Sequence, residues 1–233
     1  MPVLARRSSV ARLAARPEAR ESWSSATAGT LAAGSFNQVQ RGQKGRFGVQ
    51  EKTVLDREDV RRTLVRIAHE IVENTGQSHF PTRLAVVGIH RRGAVLGARL
   101  RDLVAELVGE PVPLGDIDIS FYRDDVGIRG PDYQPVVHAS HIDFPVEDMT
   151  IVLVDDVLYT GRTVRAAIDA LFDYGRPRRV QLAVLADRGH RELPIRPDYV
   201  GKNLPTSHEE RVNVRVEELD GVDEVGIAEA QHA

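Results

Sequence analysis

The chain has 233 residues, 42% of them hydrophobic and 28% charged, and no cysteine. That length suits one α/β domain of ordinary size, or two small ones, with a real hydrophobic core. The lack of thiols excludes disulfides, thiolate metal sites and cysteine nucleophiles, and no apolar run approaches the roughly 18 residues of a membrane span. No stretch resembles a secretory leader, so the reading places the chain in the cytoplasm, away from membranes.

Formal net charge is -3, distributed unevenly. Residues 1–50 hold eight Lys/Arg and two acids, whereas the remainder holds 23 bases and 32 acids. Any nucleic-acid binding beyond residue 50 therefore needs a local basic patch. Residues 1–50 are rich in Ala, Arg, Ser and Gly, with Trp23 and Phe36 isolated. Such composition cannot offset the entropy of ordering, which predicts a disordered basic extension or a start assigned too far upstream. Its likeness to a transit peptide is superficial.

Ordered structure is expected from Asp56, an N-cap with Asp59 three residues on. Val60, Leu64, Ile67, Ala68 and Ile71 follow at helical spacing, and Gly76 lies beyond the end. The opposite face carries Arg62, Arg66 and His69, for which a solvated charged face is the default explanation. Residues 84–89 form a continuous apolar run, as in a strand covered on both faces. The loop His90-Arg91-Arg92-Gly93 leads into an amphipathic helix through Leu96, Leu100, Leu103, Val104 and Leu107. Residues 117–122 alternate briefly, as in a strand. Residues 123–141 are polar with Gly and Pro, as in a long functional lid.

Residues 151–154 read as the next buried strand, ending in Asp155-Asp156. A helix is expected over about 163–174, closed by Gly175 and Pro177, followed by an apolar strand at 180–186. Residues 187–207 are basic and turn-rich, and 212–216 alternate as a late strand. Strands alternating with helices predict an α/β fold with an open, mostly parallel, doubly wound sheet, without internal repeats.

The chemistry concentrates in Val152-Leu153-Val154-Asp155-Asp156-Val157-Leu158-Tyr159-Thr160-Gly161-Arg162-Thr163-Val164. A buried strand delivers two carboxylates to the carboxyl edge of the sheet, where open α/β sheets bind ligands. A tight loop at Gly161 then opens a helix, whose free N–H groups and the Thr160 and Thr163 hydroxyls form a phosphate cradle. Acids that accept from vicinal hydroxyls, followed by a phosphate cradle, point to a sugar phosphate. Each half alone has an ordinary explanation as a loop cap or a helix start. The Lys of a Walker loop is missing, and the dinucleotide fingerprint is not matched.

This stretch resembles the phosphoribosyl-pyrophosphate (PRPP) motif of type I phosphoribosyltransferases. Asp118-Ile-Ser-Phe-Tyr-Arg-Asp-Asp125 and Asp187-Arg-Gly-His-Arg-Glu-Leu-Pro-Ile-Arg196 narrow the resemblance to the PyrR family of bifunctional pyrimidine operon regulators. Gly201-Lys-Asn-Leu-Pro-Thr-Ser207 and Arg66-Ile-Ala-His-Glu70 fit the same family. The resemblance covers about residues 54–228, read as one phosphoribosyltransferase and regulator domain with a small hood, and leaves residues 1–50 unmatched.

The resemblance implies two activities. One is uracil phosphoribosyl transfer, in which uracil and PRPP give UMP and pyrophosphate. The other is binding of pyrimidine operon mRNA under control of uridine nucleotides such as UMP and UTP. It assigns the ribose hydroxyls to Asp155 and Asp156, the 5-phosphate to residues 159–163, and the pyrophosphate loop to Arg91 and Arg92. Arg91 stands where the family commonly has threonine. Arg123 begins the closing loop and Arg188 lines the nucleotide side. Arg62, Arg66, His69, His190, Arg191, Arg196 and Lys202 are the RNA-binding candidates; for the last four, ion pairs such as one to Glu192 are the alternative. Mg²⁺ enters mainly on PRPP oxygens, without a protein cage, and the family assembles as homodimers or hexamers. Three alternatives stay open: a transferase without regulation, a regulator without turnover, and a purine substrate.

Overall fold

The computed structural model describes residues 51–75, 83–120, 122 and 140–229. The elements run β1 (Glu51–Leu55), α1 (Arg57–Thr75), β2 (Leu84–Ile89), α2 (Arg92–Val108), β3 (Leu114–Ile117), β4 (Thr150–Leu158), α3 (Arg162–Phe172) and β5 (Arg179–Asp187). They continue with β6 (Tyr199–Asn203), β7 (Glu210–Arg215), α4 (Glu217–Asp220) and β8 (Glu224–Glu229).

The apolar period sets α1, and a reciprocal box starts it. The Asp59 N–H donates to Asp56 Oδ1 at 2.9 Å, and the Asp56 N–H to Asp59 Oδ2 at 3.4 Å. Val60, Leu64, Ile67, Ala68 and Ile71 are buried, each contributing up to roughly 2 kcal/mol for the larger side chains. All six residues of β2 are buried, because the sheet is covered on both faces. On one side Leu64, Ile71, Leu96 and Leu100 pack over Val86, Val152 and Leu185. On the other, Val164, Ala167 and Leu171 pack over Val87, Leu153 and Val184.

The main sheet is parallel, with strand order β3-β2-β4-β5-β6. From β2 the chain moves outward through α2 to β3, then returns past β2 to β4 and onward to β5 and β6. The order therefore reverses between β2 and β4, and a crevice opens there at the carboxyl ends. Register with β2 ends at Gly88↔Val154, so Asp155 to Leu158 pair with β5 alone. A second, antiparallel sheet, β1-β8-β7, forms the small hood. Leu55, Val214 and Val225 join it to the core on the α1–α2 side.

Several boundaries differ from the sequence reading. Among the described residues β1 lies ahead of Asp56; only pairing with β8, more than 160 residues away, makes that short segment a strand. The strand expected at 117–122 overlaps β3 at Ile117 alone, because pairing starts at Val86↔Leu114 and the chain leaves the sheet after Ile117. There the Asp118 carboxylate accepts from the Ser120 N–H at 2.7 Å and its hydroxyl at 2.6 Å, turning the chain. β4 continues through both aspartates instead of stopping before them. The basic segment 187–207 contains edge strand β6, and β8 follows the late strand. α3 ends at Phe172, with Asp173 as its C-cap, ahead of Gly175. Leu107, read as apolar-face, is 41% exposed. Residues 1–50, Gly76, Arg123 and the rest of the lid up to residue 139 lie outside the described residues.

Candidate functional site

β4 carries Asp155 and Asp156 into the crevice. Adjacent strand residues face opposite sides, and accordingly Asp155 is buried while Asp156 is half-buried. Each carboxylate is oriented by the next amide: Asp155 Oδ1 accepts from the Asp156 N–H, and Asp156 Oδ1 from the Val157 N–H, both at 2.9 Å. Val152, Leu153 and Val154 are buried beneath them, with Val157 and Leu158 continuing the strand.

The loop after β4 turns at Gly161, whose φ of 93° is left-handed and disfavours any side chain. A Cβ there would also press on Leu193 and Ile195 at 3.3 and 3.4 Å. The first helical bond of α3 runs from the Arg165 N–H to the Gly161 carbonyl at 3.0 Å. First-turn amides therefore precede the ladder, at the positive end of the helix dipole. The Thr160 carbonyl accepts the Glu192 and Leu193 N–H groups at 3.0 and 3.1 Å. Arg162 Nε donates to Glu192 Oε2 at 2.6 Å. Thr163 is half-buried, and Val164 is buried in the core.

Gly93 brings the other wall to this point. A Cβ on it would lie 2.5 Å from the Val154 carbonyl and 3.1 Å from Asp155 Cα, so only glycine lets the start of α2 approach. The loop bearing Arg91 is thereby held beside Asp155; its His90–Arg91 peptide is cis. Arg91 is exposed. Arg92 instead grips Asp220 of α4, Nε to Oδ2 at 3.2 Å and Nη2 to Oδ1 at 2.8 Å. Burial opposes ionisation of Asp220, but the Arg92 and Val216 N–H contacts outweigh it and hold the carboxyl below its usual range. His90 Nε2 lies 2.5 Å from Asp116 Oδ1, which His141 Nδ1 approaches at 3.3 Å. Asp116 and Asp220 are site neighbours the sequence reading missed; neither sits in a recognisable motif.

Two of the basic candidates serve as brackets. Arg188 is 7% exposed, donates to Thr206 Oγ1 and to the Ser207 and Glu210 carbonyls at 3.2, 3.1 and 2.8 Å, and lies 4.1 Å over the Tyr159 ring. Arg191 pairs with Asp187 at 2.5 Å and donates to the Tyr159 and Ile195 carbonyls at 2.8 and 3.0 Å. His190 Nε2 donates to the Thr206 carbonyl at 2.6 Å, and its Nδ1 lies 3.1 Å from His208 Nε2.

The α1 stripe and the β6 edge, 134 residues apart, come together. Arg66 Nη2 donates to the Val200 and Gly201 carbonyls at 2.8 and 2.7 Å, and its other arm pairs with Glu70. Arg62 pairs with Asp59 at 2.6 Å, and His69 is exposed. Arg196 and Lys202 are exposed, and Lys202 adds to the hydrogen bonds from Arg62 and the Asp56 N–H that hold the Asp59 carboxyl below its usual range.

Carboxylates at a strand end, a helix N-terminus and a basic loop surround one crevice. A sequence model of the phosphoribosyl transferase domain matches residues 52–218. Hypoxanthine phosphoribosyltransferase of Trypanosoma cruzi shares the fold at 19% identity and a TM-score of 0.58, over 77% of this chain and 97% of that one. Bifunctional protein PyrR of Roseiflexus sp. (strain RS-1) is 59% identical over 73% of this chain and 91% of its own length. That of Thermus aquaticus is 57% identical over 75% and 94%. The chain belongs to the PyrR family of type I phosphoribosyltransferases. It is a pyrimidine operon regulator and a uracil phosphoribosyltransferase.

Proposed function

We propose that transfer takes place in the β2–β4 crevice and RNA binding on the α1–β6 edge. Asp155 and Asp156 accept the ribose 2- and 3-hydroxyls of PRPP, and residues 159–163 hold its 5-phosphate. Arg91 and Arg92 face the pyrophosphate, for which a planar guanidinium is well matched. The bond from the anomeric carbon to pyrophosphate loosens first, the uracil nitrogen attacks the oxocarbenium-like carbon, and pyrophosphate leaves and takes up the uracil N–H proton. Carboxylates nearby stabilise the developing positive charge. Magnesium arrives with PRPP, coordinated mainly by substrate oxygens and water. The Gly93 approach carries this reading, because it sets the basic loop against Asp155. Product formation from PRPP with uracil, hypoxanthine or orotate tests it: UMP is the expected product, and preferential use of either other base overturns it.

For RNA, the joining of Arg66 to Val200 and Gly201 supports one continuous basic edge of Arg62, Arg66, His69, Arg196 and Lys202, with His190 behind it. Arg191 braces Tyr159, so its replacement disturbs both activities. Replacing Arg196 and Lys202 with Gln should leave transfer within a few-fold. The same change should weaken binding to the operon leader RNA and flatten the slope of log K against log salt by about 1.4, at ~0.7 per contact. UMP should tighten wild-type RNA binding, since a ligand shifts a protein toward the state it binds better. Gel shifts over a salt series, with and without UMP, measure the three RNA effects and PRPP kinetics the transfer, and equal RNA affinity in both proteins removes the edge assignment.

We place the chain in the cytoplasm as a homodimer or hexamer with residues 1–50 dispensable for the fold. Among the described residues no helix is long and apolar enough to cross a membrane. Removal of residues 1–50 should leave melting temperature and uracil transfer unchanged. A cut after residue 55 also removes β1, with buried Leu55 and the Glu51–Arg215 pair. That should cost about 2 kcal/mol or more, roughly 4–8 °C. Paired thermal melts decide, and equal melting of the two truncations contradicts this role for β1.

A further inference from the structure

A cavity of about 660 Å³ lies under the segment that crosses from the carboxyl end of β5 back to the start of β6. The crossing ends at Asp198, whose N–H donates to the Leu182 carbonyl and whose Oδ2 accepts from the Leu182 N–H, both at 2.8 Å. Pro197, Val200 and Pro205 form apolar walls. Asp187, the acid in the lining, is paired with Arg191. Arg196 and Asn203 border the cavity, and both are exposed. It opens at β5 and β6, with the PRPP crevice between β2 and β4; Arg188 and Arg191 of its lining form the wall toward Tyr159.

We propose that this cavity receives one unstacked base of the bound RNA, while phosphates on either side rest on Arg196, Lys202 and Arg66. The inference rests on the α1–β6 edge being the RNA surface. Its volume is that of a small-ligand site, with apolar walls and a few polar groups at the rim. RNA loops are recognised through splayed bases that pack on flat side chains, and a surface poor in exposed aromatics uses guanidinium and proline faces instead. A free nucleotide presents the same base chemistry, so the test separates the two.

The experiment scans the operon leader RNA with single abasic substitutions against the full-length protein, Val200→Phe, which fills the cavity, and Asn203→Ala, an exposed change that preserves the fold. In wild type one abasic position should cost about tenfold in affinity beyond its neighbours. Both variants should bind intact RNA more weakly and lose sensitivity at that same position, with UMP affinity and uracil transfer within threefold. If Val200→Phe misfolds, Asn203→Ala carries the comparison. Loss of RNA binding in Arg196→Gln/Lys202→Gln without any cavity-linked abasic position overturns the base pocket alone. Intact binding in that double variant overturns the edge and the pocket together. Weakened UMP binding with unchanged RNA affinity assigns the cavity to free nucleotide and overturns the proposal.

A separate observation concerns the pyrophosphate loop. Arg92 and Arg99, one heptad apart on α2, both reach the segment around α4: Arg92 grips Asp220, and Arg99 pairs with Glu218 at 2.6 Å and Asp223 at 2.8 Å. The Nε–Nη2 edge of Arg92 holds Asp220, which leaves the Nη1 end of the planar fork to point elsewhere. We infer that Asp220 is a positioning residue that aims Arg92 at the pyrophosphate of PRPP, linking the hood to the reacting end. This rests on Arg92 being a pyrophosphate ligand. Asp220→Asn keeps an acceptor for the Val216 N–H but removes the charge. It should raise KM for PRPP about fivefold with kcat within twofold, and Asp220→Glu should restore much of the loss. Glu218→Gln, which leaves Arg92 untouched, should not move KM. A KM that rises in Arg92→Gln but not in Asp220→Asn, or that falls in Asp220→Asn, overturns the positioning role. Unchanged KM in Arg92→Gln overturns the ligand assignment itself.

Discussion

Asp155→Asn and Asp156→Asn should each lower kcat/KM for PRPP by roughly 10²-fold or more, about 3 kcal/mol of transition-state stabilisation. The fold should survive, because an amide oxygen still accepts from the next N–H, the described contact that orients each carboxylate. What is lost is the negative charge beside the carbon that becomes positive and the full acceptor strength toward ribose hydroxyls. Steady-state kinetics with uracil in excess, alongside thermal melts, separates chemistry from folding. Near-wild-type turnover by a folded double variant rules out the ribose assignment.

The alternation of buried apolar runs with helical periods was enough to give the parallel sheet, since strands covered on both faces have no other pattern. Asp155, Asp156 and Gly161 were legible for the same reason: a strand, a tight turn and a helix start are local events. β1, β6 and β8 were not. Each is five or six residues long and exists because of a distant or edge pairing, so period alone cannot separate it from a turn-rich loop. The basic candidates divide along the same line. Sequence can count guanidinium groups, but whether Arg191 faces RNA or holds Asp187 and Tyr159 depends on how the chain crosses back over β5. Arg92 and Asp220, 128 residues apart, met only through the packing of α2 against the hood.

Arg188→Met should destabilise the protein by about 3 kcal/mol, roughly 6–12 °C in melting temperature. The side chain is 7% exposed, and its guanidinium satisfies the Ser207 and Glu210 carbonyls and the Thr206 hydroxyl while covering the Tyr159 ring. Methionine replaces the volume but removes the charged donor from three acceptors. A hydrogen bond to a charged group contributes about 1.5–3 kcal/mol, less where water reaches the acceptor, as at exposed Ser207. The effect should reach the proposed site, because Tyr159 opens the loop assigned to the 5-phosphate and loses the partner on its ring face. KM for PRPP should therefore rise together with the instability. Arg188→Lys should recover little of either, since an ammonium is a point charge and cannot serve three acceptors in a planar fork. Urea melts with an unchanged m-value, combined with PRPP kinetics on the folded variant, measure both effects. If Arg188→Met melts within about 0.5 kcal/mol of wild type, the surface-mutation range, the bracket is not holding the 206–210 segment. If it is destabilised but binds PRPP normally, the segment is held by Arg188 and the phosphate loop is independent of it.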